Sequence, residues 1–185
     1  MIEINKSLSE YLNSFYQIEW LSPIISLFSD LPIFFLPIFL VAWIFYAYKK
    51  NNDKEKLLYI FYSVVLAVII SYIIKSIHFV ERPMMSLENA NMVLSKIPDA
   101  SFPSDHAVSI SFLTAIYLFY KKLALILLPF FILMNLSRVI IHWPIDIIVG
   151  MINVISATII YKFRKLNIFK KINKFLIKIA SFFKL

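Results

Sequence analysis

The sequence predicts an all-α, polytopic membrane helix bundle of about five transmembrane helices plus a C-terminal amphipathic helix, with a sixth short crossing as the alternative count. Two observations lead there. Hydrophobic residues make up 61% of the 185, the mean hydropathy is +0.79, and runs such as LPIFFLPIFLVAWIFYAY fall far outside soluble-domain composition. Basic residues also gather on alternate connections between those runs. The length suits a single domain over 1–185, with an interfacial segment at 1–30 and a basic tail at 165–185.

Taken in order, the N-terminal MIEINKSLSEYLNSFYQ has no basic region followed by an apolar stretch, so no cleavable signal peptide is expected. WLSPIISLFSD is apolar but short and broken by proline, which suits an interfacial or re-entrant segment. Five spans follow, at roughly 31–48, 57–74, 105–120, 123–140 and 144–161. Ser109, Ser111 and Thr114 in the third span place it inside the bundle more than against lipid. With one glycine, Gly150, there is little scope for glycine-mediated helix packing, so Ala, Ser and interdigitating aromatics must supply the contacts.

Orientation follows from charge. Lys49, Lys50, Lys54 and Lys56, then Lys121 and Lys122, then eight Lys and Arg from Lys162 to Lys184 lie on alternate connections, which assigns that side to the cytoplasm. An integral membrane location is expected. The tail sets Phe169, Ile172, Leu176, Ile179 and Phe183 on one helical face and Lys170, Lys171, Lys174 and Lys178 on the other, the pattern of an anchor on an anionic leaflet. Lysines alternating with Phe and Ile argue against nucleic acid as a partner. Membrane lipids are the expected one. The chain has no cysteine, and its three histidines are poorly spaced for a metal, so no metal or other cofactor is expected.

Side chains capable of chemistry cluster in three segments that all reach the non-cytoplasmic face: KSIHFVERP, PSDH and SRVIIHWPID. Lys75 and Arg82 are seven apart, two turns along one helical stripe, and two cations there suit an anion; headgroup snorkelling is the plainer alternative. Pro83 would stop that helix with Arg82 at its end. His78 lies one turn from both cations and reads as an interfacial histidine.

Pro103 and Ser104 mark a helix start, whose unpaired N–H groups make an anion site, with Asp105 and His106 in the first turn. Capping alone accounts for Ser104 and Asp105 but leaves an imidazole at the mouth of an apolar helix unexplained. Pro144 suits the first turn of the last span, with His142 before it and Asp146 inside. A carboxylate there can reach back, so an Asp146 to His142 hydrogen bond is expected, orienting a nucleophile or general base. Arg138 can point to the same place, and a structural His-Asp cap is the alternative.

The three segments together resemble the signatures of the type-2 phosphatidic acid phosphatase superfamily, K-x6-R-P, P-S-G-H and S-R-x5-H-x3-D. Within it, DASFPSDH and the chain length look like the bacitracin-resistance type of undecaprenyl diphosphate phosphatase. Asp105 replaces the glycine of the second signature, as in that subgroup, and only three residues separate Arg138 from His142, where the family has five. A continuous helix would still bring those two to one face.

The resemblance implies a metal-independent lipid phosphatase in which His142 attacks phosphorus, Asp146 orients it and His106 protonates the leaving group. Lys75, Arg82, Ser104 and Arg138 would bind the phosphate. The implied substrate is a polyprenyl diphosphate, cleaved on the extracytoplasmic side to recycle a cell-wall lipid carrier. Alternatives are another lipid phosphate, such as phosphatidylglycerophosphate, phosphatidic acid or lipid A, or a non-catalytic lipid-binding relative.

Overall fold

The computed structural model describes residues 2–25, 27, 54–78, 80–83, 101–104, 108–137 and 142–182. Among them only helices and turns occur. Helix α1 is Ile2–Ser14, α2 is Lys54–Ile77, α3 is Val108–Phe119 and α4 is Lys121–Leu136. Helix α5, Pro144–Gly150, runs through a single 3₁₀ turn at Met151–Asn153 into α6, Val154–Phe163; α7, Asn167–Phe182, follows a short turn.

The expected spans at 57–74 and 144–161 lie within α2 and α5–α6, the two described helices long and apolar enough to cross a bilayer. The described parts of the spans at 105–120 and 123–140 are α3 and α4, with 12 and 16 residues. At 1.5 Å per residue these are about 18 and 24 Å long, short of the roughly 30 Å hydrocarbon core. The span at 31–48 lies outside the described residues.

Helix α3 is the centre of the bundle and packs against α2, α4 and α6, which explains its mixture of small and large apolar side chains. Phe112, Ala115 and Ile116 face inward against Ile60, Phe131, Met134 and Ala157. Outward, Phe61, Val68 and Ile69 of α2, Ile126 and Ile132 of α4 and Ile155 of α6 are exposed. This chain is apolar on its outer surface and places small polar groups inside, the pattern expected where lipid is the solvent.

Between the helices, Ser111 Oγ lies 2.6 Å from Ser156 Oγ and 3.1 Å from the Ser63 carbonyl, and Asn153 Nδ2 donates to Ser71 Oγ at 3.3 Å. Such bonds contribute about 0.6 kcal/mol each on average in a membrane, so they hold register more than they drive association. Of the three residues expected inside, Ser111 is fully buried, while Ser109 and Thr114 are half-buried as whole residues, the Ser109 hydroxyl itself being buried.

The tail is helical over Asn167–Phe182. Its inner face is centred on Phe169 and Asn173, with Ile172 and Ile179 left exposed. The cause is docking on the start of α2: the Phe169 ring lies 6.1 Å from Tyr59 and 5.8 Å from Tyr62, and Tyr62 donates its hydroxyl to Asn173 Oδ1 at 2.9 Å. At the other end of the bundle α1 rests on α5, where Asn5 Oδ1 accepts the Ile145 N–H at 3.2 Å.

Candidate active site

Local chemistry builds α5 as its sequence suggests. Pro144 occupies the first turn, where its missing N–H costs nothing, and Trp143 caps in an extended conformation. Asp146 reaches back to accept the Trp143 N–H at 3.0 Å, while its own N–H donates to the Trp143 carbonyl at 2.9 Å. The cap therefore holds the Asp146 carboxylate beside the residue that follows His142.

The expected direct bond between Asp146 and the His142 ring is replaced by a connection through Ser101. The Ser101 hydroxyl donates to Asp146 Oδ2, and the Ser101 carbonyl lies 2.7 Å from His142 Nδ1. The reason is geometric: the carboxylate is drawn to its own helix start, and a segment from elsewhere in the chain fills the gap. Ser101 is in turn fixed by its N–H, which donates to the Val80 carbonyl at 2.7 Å. All three side chains are buried, with exposures of 0% for Ser101, 2% for His142 and 1% for Asp146.

This arrangement decides the imidazole's chemistry. A carbonyl oxygen only accepts, so His142 Nδ1 must carry the proton of the bond. In the neutral ring the lone pair is then on Nε2, the atom available as a nucleophile or base.

Arg82 also arrives by a route the sequence pattern did not suggest. Helix α2 ends at Ile77, so Lys75 sits in its last turn while Arg82 lies beyond it in irregular chain, not on a shared helical stripe. Two tertiary bonds hold that chain: the one from Ser101 N–H to Val80, and a 2.8 Å bond from Trp143 Nε1 to the Glu81 carbonyl. They bring Arg82, 7% exposed, within electrostatic reach of Asp146. Trp143 thus acts as a strut between two site segments. His78 is exposed, its ring edge-on to Phe102 with centroids 5.8 Å apart.

Ser104 is fully buried, and its hydroxyl has no hydrogen-bond partner among the described residues. A buried hydroxyl left without a partner is costly unless something completes it, and here it lies three residues from Ser101. His106 and Arg138, together with Asp105 and the contracted stretch between Arg138 and His142, lie outside the described residues. In sequence Asp105 follows Ser104, and Arg138 follows the buried Ser137. Ser101 is the residue that motif reading missed; it stands in DASFPSDH, but nothing local marks it as a contact of His142.

The PAP2 superfamily profile matches residues 56–169, a stretch that includes each of these side chains, and the chain belongs to that superfamily. It is therefore a phosphatase that hydrolyses phosphate esters or anhydrides. Its relatives are more particular. It is 28% identical over 166 residues to the bacitracin transport permease protein BcrC of Bacillus licheniformis, covering 86% of this chain and 80% of that protein. It is 27% identical over 114 residues to the undecaprenyl-diphosphatase BcrC of Bacillus subtilis, covering 60% of this chain and 57% of that one. In fold it is similar to the crystal structure of Aquifex aeolicus LpxE, with a TM-score of 0.64 at 24% identity, over 84% of this chain and 93% of that chain.

Proposed function

We propose that the protein is a lipid diphosphatase, cleaving undecaprenyl diphosphate or a similar polyprenyl diphosphate to the monophosphate and inorganic phosphate through a phosphohistidine on His142. The observation that carries this reading is the 2.7 Å contact of His142 Nδ1 with the Ser101 carbonyl, which directs the ring's lone pair to Nε2. The kinship with an undecaprenyl-diphosphatase supports the choice of substrate.

In this mechanism Lys75, Arg82, Arg138 and the Ser104 hydroxyl hold the terminal phosphate. Phosphoryl transfer demands mainly alignment and neutralisation of charge, which a group of cations provides. Nε2 bonds to phosphorus as the bridging P–O bond breaks, and His106 gives its proton to the departing monophosphate oxygen. His106 then takes a proton from water as the water oxygen attacks phosphorus, releasing phosphate and restoring His142. The ring becomes cationic on phosphorylation, and the Asp146 carboxylate, joined to it through Ser101, stabilises that charge. Ser101 is a positioning residue in this reading.

The same reading places the protein as a single domain of about five spans in the cytoplasmic membrane, its site on the extracytoplasmic side. One relative is named for transport of bacitracin. The enzyme reading is favoured by the distribution of charge: from Leu57 to Ile74, Val108 to Tyr120 and Ile147 to Tyr161 there is no ionisable carboxylate, lysine or arginine to serve as a mid-membrane relay.

The test is phosphate release by the detergent-solubilised protein, with chelator present, against polyprenyl diphosphates and glycerolipid phosphates. His142→Ala should abolish release on every substrate while inserting normally. Retained activity in that variant would remove His142 from the reaction, and loss of wild-type activity in chelator would refute metal independence.

A further inference from the structure

A second cluster of charge lies at the opposite end of the bundle, separated from the site by the length of α2, about 36 Å for its 24 residues. There a cavity of about 600 Å³ is lined by Lys54, Lys56, Arg164, Lys165 and Lys170, with Glu55 the one carboxylate among the described lining residues. Its cations come from three places in the chain: the start of α2, the turn after α6, and the first turn of α7. Docking of the tail on α2 is what closes them into a concavity.

Two of these cations are held by aromatic rings. The Arg164 guanidinium carbon lies 3.6 Å above the centroid of Tyr161, and Arg164 Nη1 donates to the Tyr161 carbonyl. The backbone of the same residue is fixed by Tyr59, whose hydroxyl donates to the Arg164 carbonyl at 2.8 Å. Lys56 Nζ lies 5.2 Å over Tyr120. Beneath them Tyr59 and Phe119 stack with centroids 6.0 Å apart, giving the cavity an apolar floor.

Orienting a chain in a membrane requires only cations on the right side, and exposed residues such as Lys171 and Lys174 meet that need without a cavity. Arg164, Lys165 and Lys170, gathered in one recess beside the start of α2, repel one another, and the recess concentrates their field. An anion with several acceptor oxygens relieves that repulsion, and a guanidinium held flat presents the fork that suits phosphate. The volume falls within the range of about 300–1,000 Å³ common to organic ligand sites, and the aromatic floor suits an apolar continuation of the ligand.

The geometry points to a second phosphate site in this protein, at the end of the bundle away from His142, for the phosphate-bearing headgroup of an anionic phospholipid. It is independent of the proposed catalytic function, because it uses none of the same residues.

Thermal melting of the detergent-solubilised full chain, titrated with dioctanoyl phosphatidylglycerol, dioctanoyl phosphatidylcholine or glycerol 3-phosphate, tests it. Phosphatidylglycerol should stabilise the wild type saturably and phosphatidylcholine should not. Arg164→Gln combined with Lys170→Gln should weaken the apparent affinity by about tenfold or more, the loss of at least one charge-assisted phosphate contact. Lys165→Gln with Lys170→Gln, both exposed side chains, should weaken it in the same direction without disturbing the fold.

Lys121→Gln with Lys122→Gln removes two cations that do not line the cavity and should leave affinity unchanged. Equal loss in that control, binding that survives both cavity variants, or equal binding of phosphatidylcholine would overturn the proposal. Cavity-dependent stabilisation by glycerol 3-phosphate but not by phosphatidylglycerol would overturn the lipid source and assign the recess to a soluble phosphate ester.

Discussion

Replacing Ser101 by alanine tests the connection on which the site is built. The substitution leaves the Ser101 carbonyl at His142 Nδ1 and deletes the hydroxyl that bonds Asp146 Oδ2. A hydrogen bond to a charged group contributes about 1.5–3 kcal/mol net. Asp146 keeps its 3.0 Å bond from the Trp143 N–H, so the carboxylate is weakened in its position and not stranded, which favours the lower part of that range. If the interaction matters most when the imidazole is phosphorylated and cationic, kcat should fall by about ten- to fortyfold with KM nearly unchanged.

The assay is phosphate release from a polyprenyl diphosphate in detergent micelles. Asp146→Asn should cost at least as much, and the double variant should be about as impaired as Asp146→Asn alone, because the two residues act through one bond. A kcat within about twofold of wild type for Ser101→Ala, or effects that multiply in the double variant, would refute a connection running through Ser101.

Three further outcomes follow from the same structure. Ser104→Ala should raise KM by about tenfold without lowering the melting temperature, because the hydroxyl it removes is buried without a protein partner among the described residues; a lower melting temperature with unchanged KM would make Ser104 structural. Ser111→Leu forces bulk into the fully buried contact of α2, α3 and α6 and should destabilise by about 1–3 kcal/mol, read as a lower midpoint in detergent melting. Asn173→Ala removes the bond from Tyr62 and should release the tail by about 0.5–1.5 kcal/mol, seen as faster proteolysis after Arg164 with the rest of the chain still protected.

Much of the architecture is legible in the sequence because its causes are local. Apolar runs long enough to cross a bilayer must satisfy their backbone within a helix, and α2 and α5–α6 lie where such runs occur. Pro144 and Asp146 announce the start of α5 because a cap acts across only three residues. The motifs also identify the superfamily, since their order and spacing reflect a common site.

The links between those motifs were decided by tertiary structure. Ser101 reaches His142 and Asp146 across 41 and 45 residues, and no periodicity encodes a contact of that separation. Arg82 comes within electrostatic reach of Asp146 because Val80 and Glu81 give their carbonyls to Ser101 and Trp143, which holds an irregular chain where a helical stripe was expected. The tail's inner face was likewise set by its fit to Tyr59 and Tyr62, so Asn173 is buried and Ile172 is not. Composition and spacing therefore determined that this chain is a helical membrane phosphatase. Long-range hydrogen bonds and packing decided which atom of His142 carries the lone pair, and gathered Arg164, Lys165 and Lys170 with the lysines of α2 into a recess.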